Sequence, residues 1–147
     1  MFKIKFMAIP AAMILLLTGC AAKDDFADYS LDEPPQVDGI SAKTEFAEYA
    51  GDVEGIYVFL TNDKDEPYRI DYNWQLEKRV GDEWKVIRFI KEENEGIPLL
   101  NCEMPRGTVS IWCDLKDNVK LPLLPGQYRL RVGHYNQRVP AEFTIKE

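Results

Sequence analysis

The stretch Gln127-Tyr128-Arg129-Leu130-Arg131-Val132, followed closely by Val139-Pro140-Ala141-Glu142-Phe143-Thr144-Ile145, decides the fold. Tyr128, Leu130 and Val132 alternate with Arg129 and Arg131, and Val139, Ala141, Phe143 and Ile145 alternate with polar neighbours. Successive side chains of a strand point to opposite faces, so this period of two predicts two strands, each with one apolar and one wet face.

The same alternation extends upstream. Ile40, Ala42, Thr44 and Phe46 alternate with Ser41, Lys43 and Glu45, and Ile56, Val58 and Leu60 lead into the turn cluster Asn62-Asp63-Lys64-Asp65-Glu66-Pro67. Tyr72, Trp74 and Leu76 form another inward set. Gly81-Asp82 follows Val80 as a Gly-first pair suited to a two-residue type II′ hairpin, with the return strand running from Trp84 to Phe89. Further strands are expected at about Ile97 to Glu103 and Thr108 to Leu115. Helical spacing is nearly absent. About seven to eight short strands with a turn signal every 8 to 12 residues or so predict an all-β chain, folded as a two-sheet sandwich in preference to a barrel.

Leu124-Pro125-Gly126-Gln127-Tyr128 is a Pro-Gly turn entering a strand with an early Tyr. It resembles the corner between strands E and F of immunoglobulin-like domains, where the Tyr hydroxyl bonds back to the upstream backbone. Val58-Phe59-Leu60-Thr61-Asn62, the hairpin from Leu76-Glu77-Lys78 to Trp84, and Ala141-Glu142-Phe143-Thr144-Ile145 extend the likeness. From about Ile40 to Ile145 the chain resembles a bacterial immunoglobulin-like domain of the kind carried by exported lipoproteins. The likeness implies an immunoglobulin-like sandwich with Trp74 in the core of strand C. It lacks the Cys pair that bridges strands B and F in antibody domains.

The first twenty residues have a different character. Lys3 and Lys5 precede an apolar run from Phe6 to Leu17, then Thr18, Gly19 and Cys20. This layout predicts a cleaved signal peptide over residues 1–19. The run is about a dozen residues, short of the roughly 20 that a spanning helix needs. Leu17-Thr18-Gly19-Cys20 resembles the lipobox of bacterial lipoproteins, which implies a diacylglyceryl group on Cys20. One acyl chain binds a membrane only reversibly, whereas two anchor it stably. The expectation is a lipid-anchored protein facing the extracytoplasmic side of the cell membrane, without a spanning segment of its own.

Loss of residues 1–19 leaves 16 of the 18 basic residues against all 25 acidic ones, a net charge of −9 over 128 residues. So acidic a surface repels nucleic acid, and the length suits one core. Residues 20–38 are rich in Asp, Glu and Pro without periodicity and predict a flexible, solvated acidic linker, with the sandwich occupying residues 39–147.

Chemistry-bearing residues are few. Cys102 and Cys113 share strand parity with apolar neighbours, and a hairpin near Pro105-Arg106-Gly107-Thr108 would set them opposite each other. In an oxidising compartment they are candidates for a disulfide, against the alternative of two buried free thiols. Two thiols and the single His134, distant in sequence, do not make a tetrahedral zinc site. No Gly-x-Ser-x-Gly elbow occurs, and with 25 acidic residues any carboxylate spacing arises by chance. Asn62 to Glu66 lacks the glycine and distal glutamate of a calcium loop. No catalytic residue, metal ligand or cofactor is assigned.

Parity singles out one surface. If Ile56, Val58 and Leu60 point inward, Tyr57 and Phe59 point outward, and Trp112 does the same on its own strand. Strands B and E are neighbours in the immunoglobulin arrangement, so the three rings are expected on one outer face, a candidate ligand face for a polysaccharide or a protein. The competing reading is that Phe26, Tyr29 and Leu31 fold back to cover it. The sequence thus predicts a non-catalytic binding module at the cell envelope. The alternative is an inhibitor of extracytoplasmic proteases, using residues 90–98, or a small envelope hydrolase.

Overall fold

The computed structural model describes residues 22–91 and 102–147. Among them the chain is all-β: β1 (Ile40–Thr44), β2 (Glu48–Tyr49), β3 (Gly55–Asn62), β4 (Tyr68–Val80), β5 (Glu83–Val86), β6 (Cys102–Met104), β7 (Gly107–Asp114), β8 (Gly126–Gly133) and β9 (Val139–Ile145). They make two sheets. The smaller has the order β1-β3-β7, and the larger β2-β9-β8-β4-β5, with β6 pairing the start of β4. All pairings are antiparallel except β2 with β9. No helix among the described residues is long and apolar enough to cross a membrane.

The core is built from the alternation itself. Ile56, Val58 and Leu60 of β3 and Ile111 and Cys113 of β7 belong to one buried cluster with Leu76 of β4, Tyr128, Leu130 and Val132 of β8, and Ala141, Phe143 and Ile145 of β9. Each fully buried aliphatic side chain contributes about 1.5 to 3 kcal/mol relative to exposure. At the edges of this core, local bonds fix the chain's changes of direction. The Tyr128 hydroxyl donates to the Leu124 carbonyl at 2.6 Å, pinning the entry to β8. Gly81 has φ +62° while Asp82 does not have positive φ, the pattern of the expected type II′ hairpin between β4 and β5.

On β4 the simple alternation fails. Asp71 pairs with Gly133 but Gln75 pairs with Arg131, so β4 carries extra residues between them. Such a bulge turns side chains out of phase. Tyr72, expected inward with Trp74 and Leu76, is 55% exposed, while Trp74 is buried against Phe89 with ring centroids 4.8 Å apart.

The expected disulfide between Cys102 and Cys113 is absent, and both thiols are free. β6 and β7 are not a hairpin. Cys102 pairs with Ile70 of β4 in one sheet and Cys113 with Ile56 of β3 in the other, because the chain crosses between sheets in the short turn after Met104.

Residues 22–38 depart from the expected free linker. Ala27 N–H donates to the Val86 carbonyl and Arg88 N–H to the Asp25 carbonyl, so Phe26 bridges Ile87 alongside the end of β5. The segment then reaches Arg131 through the Asp32 carbonyl and Arg129 through the Glu33 carboxylate. Opposite charges on the sheet meet the aspartates and glutamates that the sequence suggested were solvated. The wet face of β8 is consequently dry at Arg129 and Arg131, both buried.

Candidate functional site

The outer face of the smaller sheet brings the predicted rings together. Register pairs Tyr57 directly with Trp112, and Phe59 with Ser110 on one side and Lys43 on the other. Tyr57 and Trp112 are 44% and 48% exposed, with centroids 4.7 Å apart and planes tilted by 54°. Phe59 is half-buried and extends the pair inward along β3. Thr61 and Thr108 are hydrogen-bonded to each other through their hydroxyls at 2.9 Å beyond it. The result is an aromatic step flanked by hydroxyls and one ammonium group.

Gly55 decides where the indole lies. A Cβ at position 55 would stand 2.1 Å from Cζ2 of Trp112, so the ring occupies space that any other residue would fill. The indole thus packs over Gly55 and beside Tyr57, with about half of the side chain still exposed. The contacts that hold Asp24, Phe26 and Glu33 run to the opposite sheet and its edge: to Lys78 of β4, to Ile87 and Arg88 just after β5, and to Arg129 of β8.

That opposite sheet carries the second cluster, which parity reasoning missed. Arg129 Nε donates to Glu77 Oε2 at 2.6 Å, its Nη1 to Glu33 at 3.0 Å, and its guanidinium lies 4.4 Å from the Trp84 ring centroid. Arg131 Nη1 stands 3.7 Å from Glu77 Oε1, and Arg138 pairs with Asp71 at 3.5 Å. Burial tends to lower the Arg129 pKa, but its bonds to Glu77 and Glu33 outweigh this and raise it. Burial lowers that of Arg131. The hydrogen bond from Arg129 holds the Glu33 carboxyl below its ordinary range. Alternating Arg with apolar residues on β8 gave the only sequence signal, and it read as solvated charge.

Other candidates have structural duties. Asn62 is buried, donating through Nδ2 to the carbonyls of Glu66 and Met104 and accepting the Lys64 N–H. It staples the Asn62–Glu66 loop. Among the described residues no group of three or more His, Cys, Asp or Glu is arranged to hold a metal ion. His134 lies in the β8–β9 loop, where its N–H donates at 3.4 Å to the Tyr68 hydroxyl, which itself donates to the Gln137 carbonyl. Burial raises the Tyr68 pKa, so that hydroxyl stays protonated. The lipobox with Cys20 lies outside the described residues, as do residues 92–98 of the predicted inhibitory loop.

No protein-family model and no curated protein matches the chain. Among solved structures it is similar to a β-glucosidase from Erythrobacter marinus, with 16% identity and a TM-score of 0.41 over 74% of this chain. The matched region spans 15% of that enzyme's length.

Proposed function

We propose that the chain is a lipid-anchored extracytoplasmic protein whose immunoglobulin-like sandwich is a non-catalytic binding module, engaging an envelope polysaccharide through Tyr57, Phe59 and Trp112. The observation that carries the reading is the exposed Tyr57–Trp112 step seated over Gly55. A half-exposed indole seated over a glycine is suited to stacking on the apolar face of a sugar ring, while Ser110, Thr108 and Thr61 supply hydroxyl partners along the same sheet. A contiguous exposed aromatic cluster commonly marks a contact surface.

The immunoglobulin-like assignment draws support from the β2-β9-β8-β4-β5 order, the parallel β2–β9 pair, and the Tyr128 hydroxyl bond to the backbone four residues upstream. Anchoring rests on Leu17-Thr18-Gly19-Cys20. Two measurements test these parts separately. The Cys20→Ser protein should leave the membrane fraction with its sandwich intact; retention there would remove the anchor. On a glycan array, the wild-type protein should bind a defined class of polysaccharide and Trp112→Ala should lose at least tenfold in affinity. Equal binding by both would remove the aromatic face from the mechanism.

A further inference from the structure

Residues 24–33 occupy a cleft on the larger sheet that combines two means of holding a peptide. At its edge, Val86 offers a carbonyl and Arg88 an N–H, filled here by Ala27 and Asp25. Along its floor and rim stand cations met by carboxylates, Lys78 by Asp24 at 2.8 Å, Arg88 by Asp25 and Asp28, and Arg129 by Glu33 at 3.0 Å, while Arg131 donates to the backbone carbonyl of Asp32 at 2.7 Å. Backbone pairing at a sheet edge combined with side-chain selection is a general mode of recognising extended peptides.

The present occupant is held thinly. No residue from 22 to 39 is fully buried; Phe26, Leu31, Pro34 and Val37 are only half covered, and the Glu33 carboxylate that meets Arg129 is itself 78% exposed. The fit beneath it is incomplete as well. Arg131 Nε and Glu77 Oε1 are buried without a hydrogen-bond partner, although both side chains are more than nine-tenths covered. Buried polar atoms are normally satisfied, so the Arg131 Nε–H is a donor that the segment leaves unused, whereas Glu77 Oε1 faces Arg131 Nη1 at 3.7 Å.

We infer that this cleft is a binding groove for an extended acidic peptide of a partner protein, with residues 24–33 as its intramolecular occupant, displaced when the partner engages. The inference is independent of the aromatic face, which lies on the other sheet. The partner peptide presents a backbone N–H to the Val86 carbonyl, a C=O two residues earlier to the Arg88 N–H and, about six residues after that N–H, a carboxylate to Arg129, as Ala27, Asp25 and Glu33 do now.

A fluorescein-labelled peptide with the sequence of residues 22–35 serves as the probe, added to the full chain. It should bind the Asp24→Asn/Glu33→Gln variant at least tenfold more tightly than the wild type. Raising the salt concentration should weaken that binding. A peptide with its acidic residues replaced by Lys should not bind. Hydrogen exchange provides the folding control: in the double variant the Arg88 amide should exchange faster than in the wild type, the core amides of β8 should not, and the acidic peptide should restore Arg88 protection. The groove would be refuted by equal binding of acidic and Lys-substituted peptides, or by no saturable binding to a variant whose Arg88 amide is open. Full Arg88 protection in the double variant without peptide would equally refute displacement of the segment.

Discussion

The Glu77 carboxylate and the Arg129 guanidinium face each other across the β4–β8 pair, 2.6 Å apart, with the glutamate side chain wholly removed from solvent. Each charge is offset there chiefly by the other, with Glu33 on Arg129 and Arg131 beside Glu77 completing the cluster. Removing water from an ion costs several kcal/mol even after relaxation, and the partner offsets this only while both remain.

Glu77→Ala should therefore destabilise the protein by about 3 to 5 kcal/mol in urea unfolding, since it leaves Arg131 buried without a carboxylate and Arg129 with Glu33 alone. The triple replacement Glu77→Met/Arg129→Met/Arg131→Met, which removes all three buried charges together, should cost much less than Glu77→Ala. A small effect of Glu77→Ala alone would mean that water reaches the cluster.

Acid should loosen the N-terminal segment. The hydrogen bond from Arg129 holds the Glu33 pKa below its ordinary 4.5. A depressed carboxylate contributes stability above its unfolded value and loses it as pH falls through the folded one. Comparing wild type with Glu33→Gln should thus reveal a difference at pH 6 to 7 that begins to shrink as pH falls past the ordinary 4.5 and vanishes only once pH is below the depressed folded value. Because the carboxylate is largely exposed and screened, the difference should be at most about 1 kcal/mol.

The period of two made β3, β7, β8 and β9 readable from the chain, because each buries one face and parity alone decides which. It failed where geometry is not periodic. The bulge between Asp71 and Gln75 puts Tyr72 outside, and nothing in the residues from Tyr72 to Leu76 marks it. Cys102 and Cys113 had the right parity and the wrong partner: facing depends on the strand alone, but pairing depends on which sheet the chain enters next. Arg129 and Arg131 looked solvated because the segment that covers them is distant in sequence and is itself acidic and aperiodic. The aromatic step was legible, since Tyr57, Phe59 and Trp112 needed only parity and the β3–β7 pairing; the role of Gly55 needed coordinates.

The thiols should behave as two unlike groups. Burial pushes the Cys113 thiol far up, while Cys102 is half-buried at the start of β6. In a Cys20→Ser background, a thiol reagent at pH 8 should modify Cys102 readily and Cys113 only on unfolding, as buried thiols are inert. The intact mass should be the same before and after reductant.

Tyr128→Phe isolates the corner. The ring is buried, stacked on Phe143 at 5.6 Å, so the substitution keeps the packing and removes only the bond to the Leu124 carbonyl. A loss of about 1 kcal/mol is expected in chemical denaturation, the usual net worth of one such bond. Burial also raises the Tyr128 pKa, so no phenolate signal from it should appear on titration to pH 10.

Gly55→Ala tests the platform without touching a ring. The added Cβ would overlap Cζ2, Cη2 and Cε2 of Trp112, at 2.1 to 2.7 Å, and backbone carries the clash on one side, so the indole must swing away. Trp112 is half exposed, hence the swing costs little packing and stability should fall by less than about 1 kcal/mol. The Tyr57–Trp112 contact at 4.7 Å should nonetheless be lost, with a shift in tryptophan emission that is absent from a Gly55→Ala/Trp112→Phe control compared with Trp112→Phe. If the aromatic step is what a polysaccharide meets, Gly55→Ala should weaken binding about as much as Trp112→Ala while leaving the fold in place. A variant that binds normally with a displaced indole would show that Trp112 is exposed without being used.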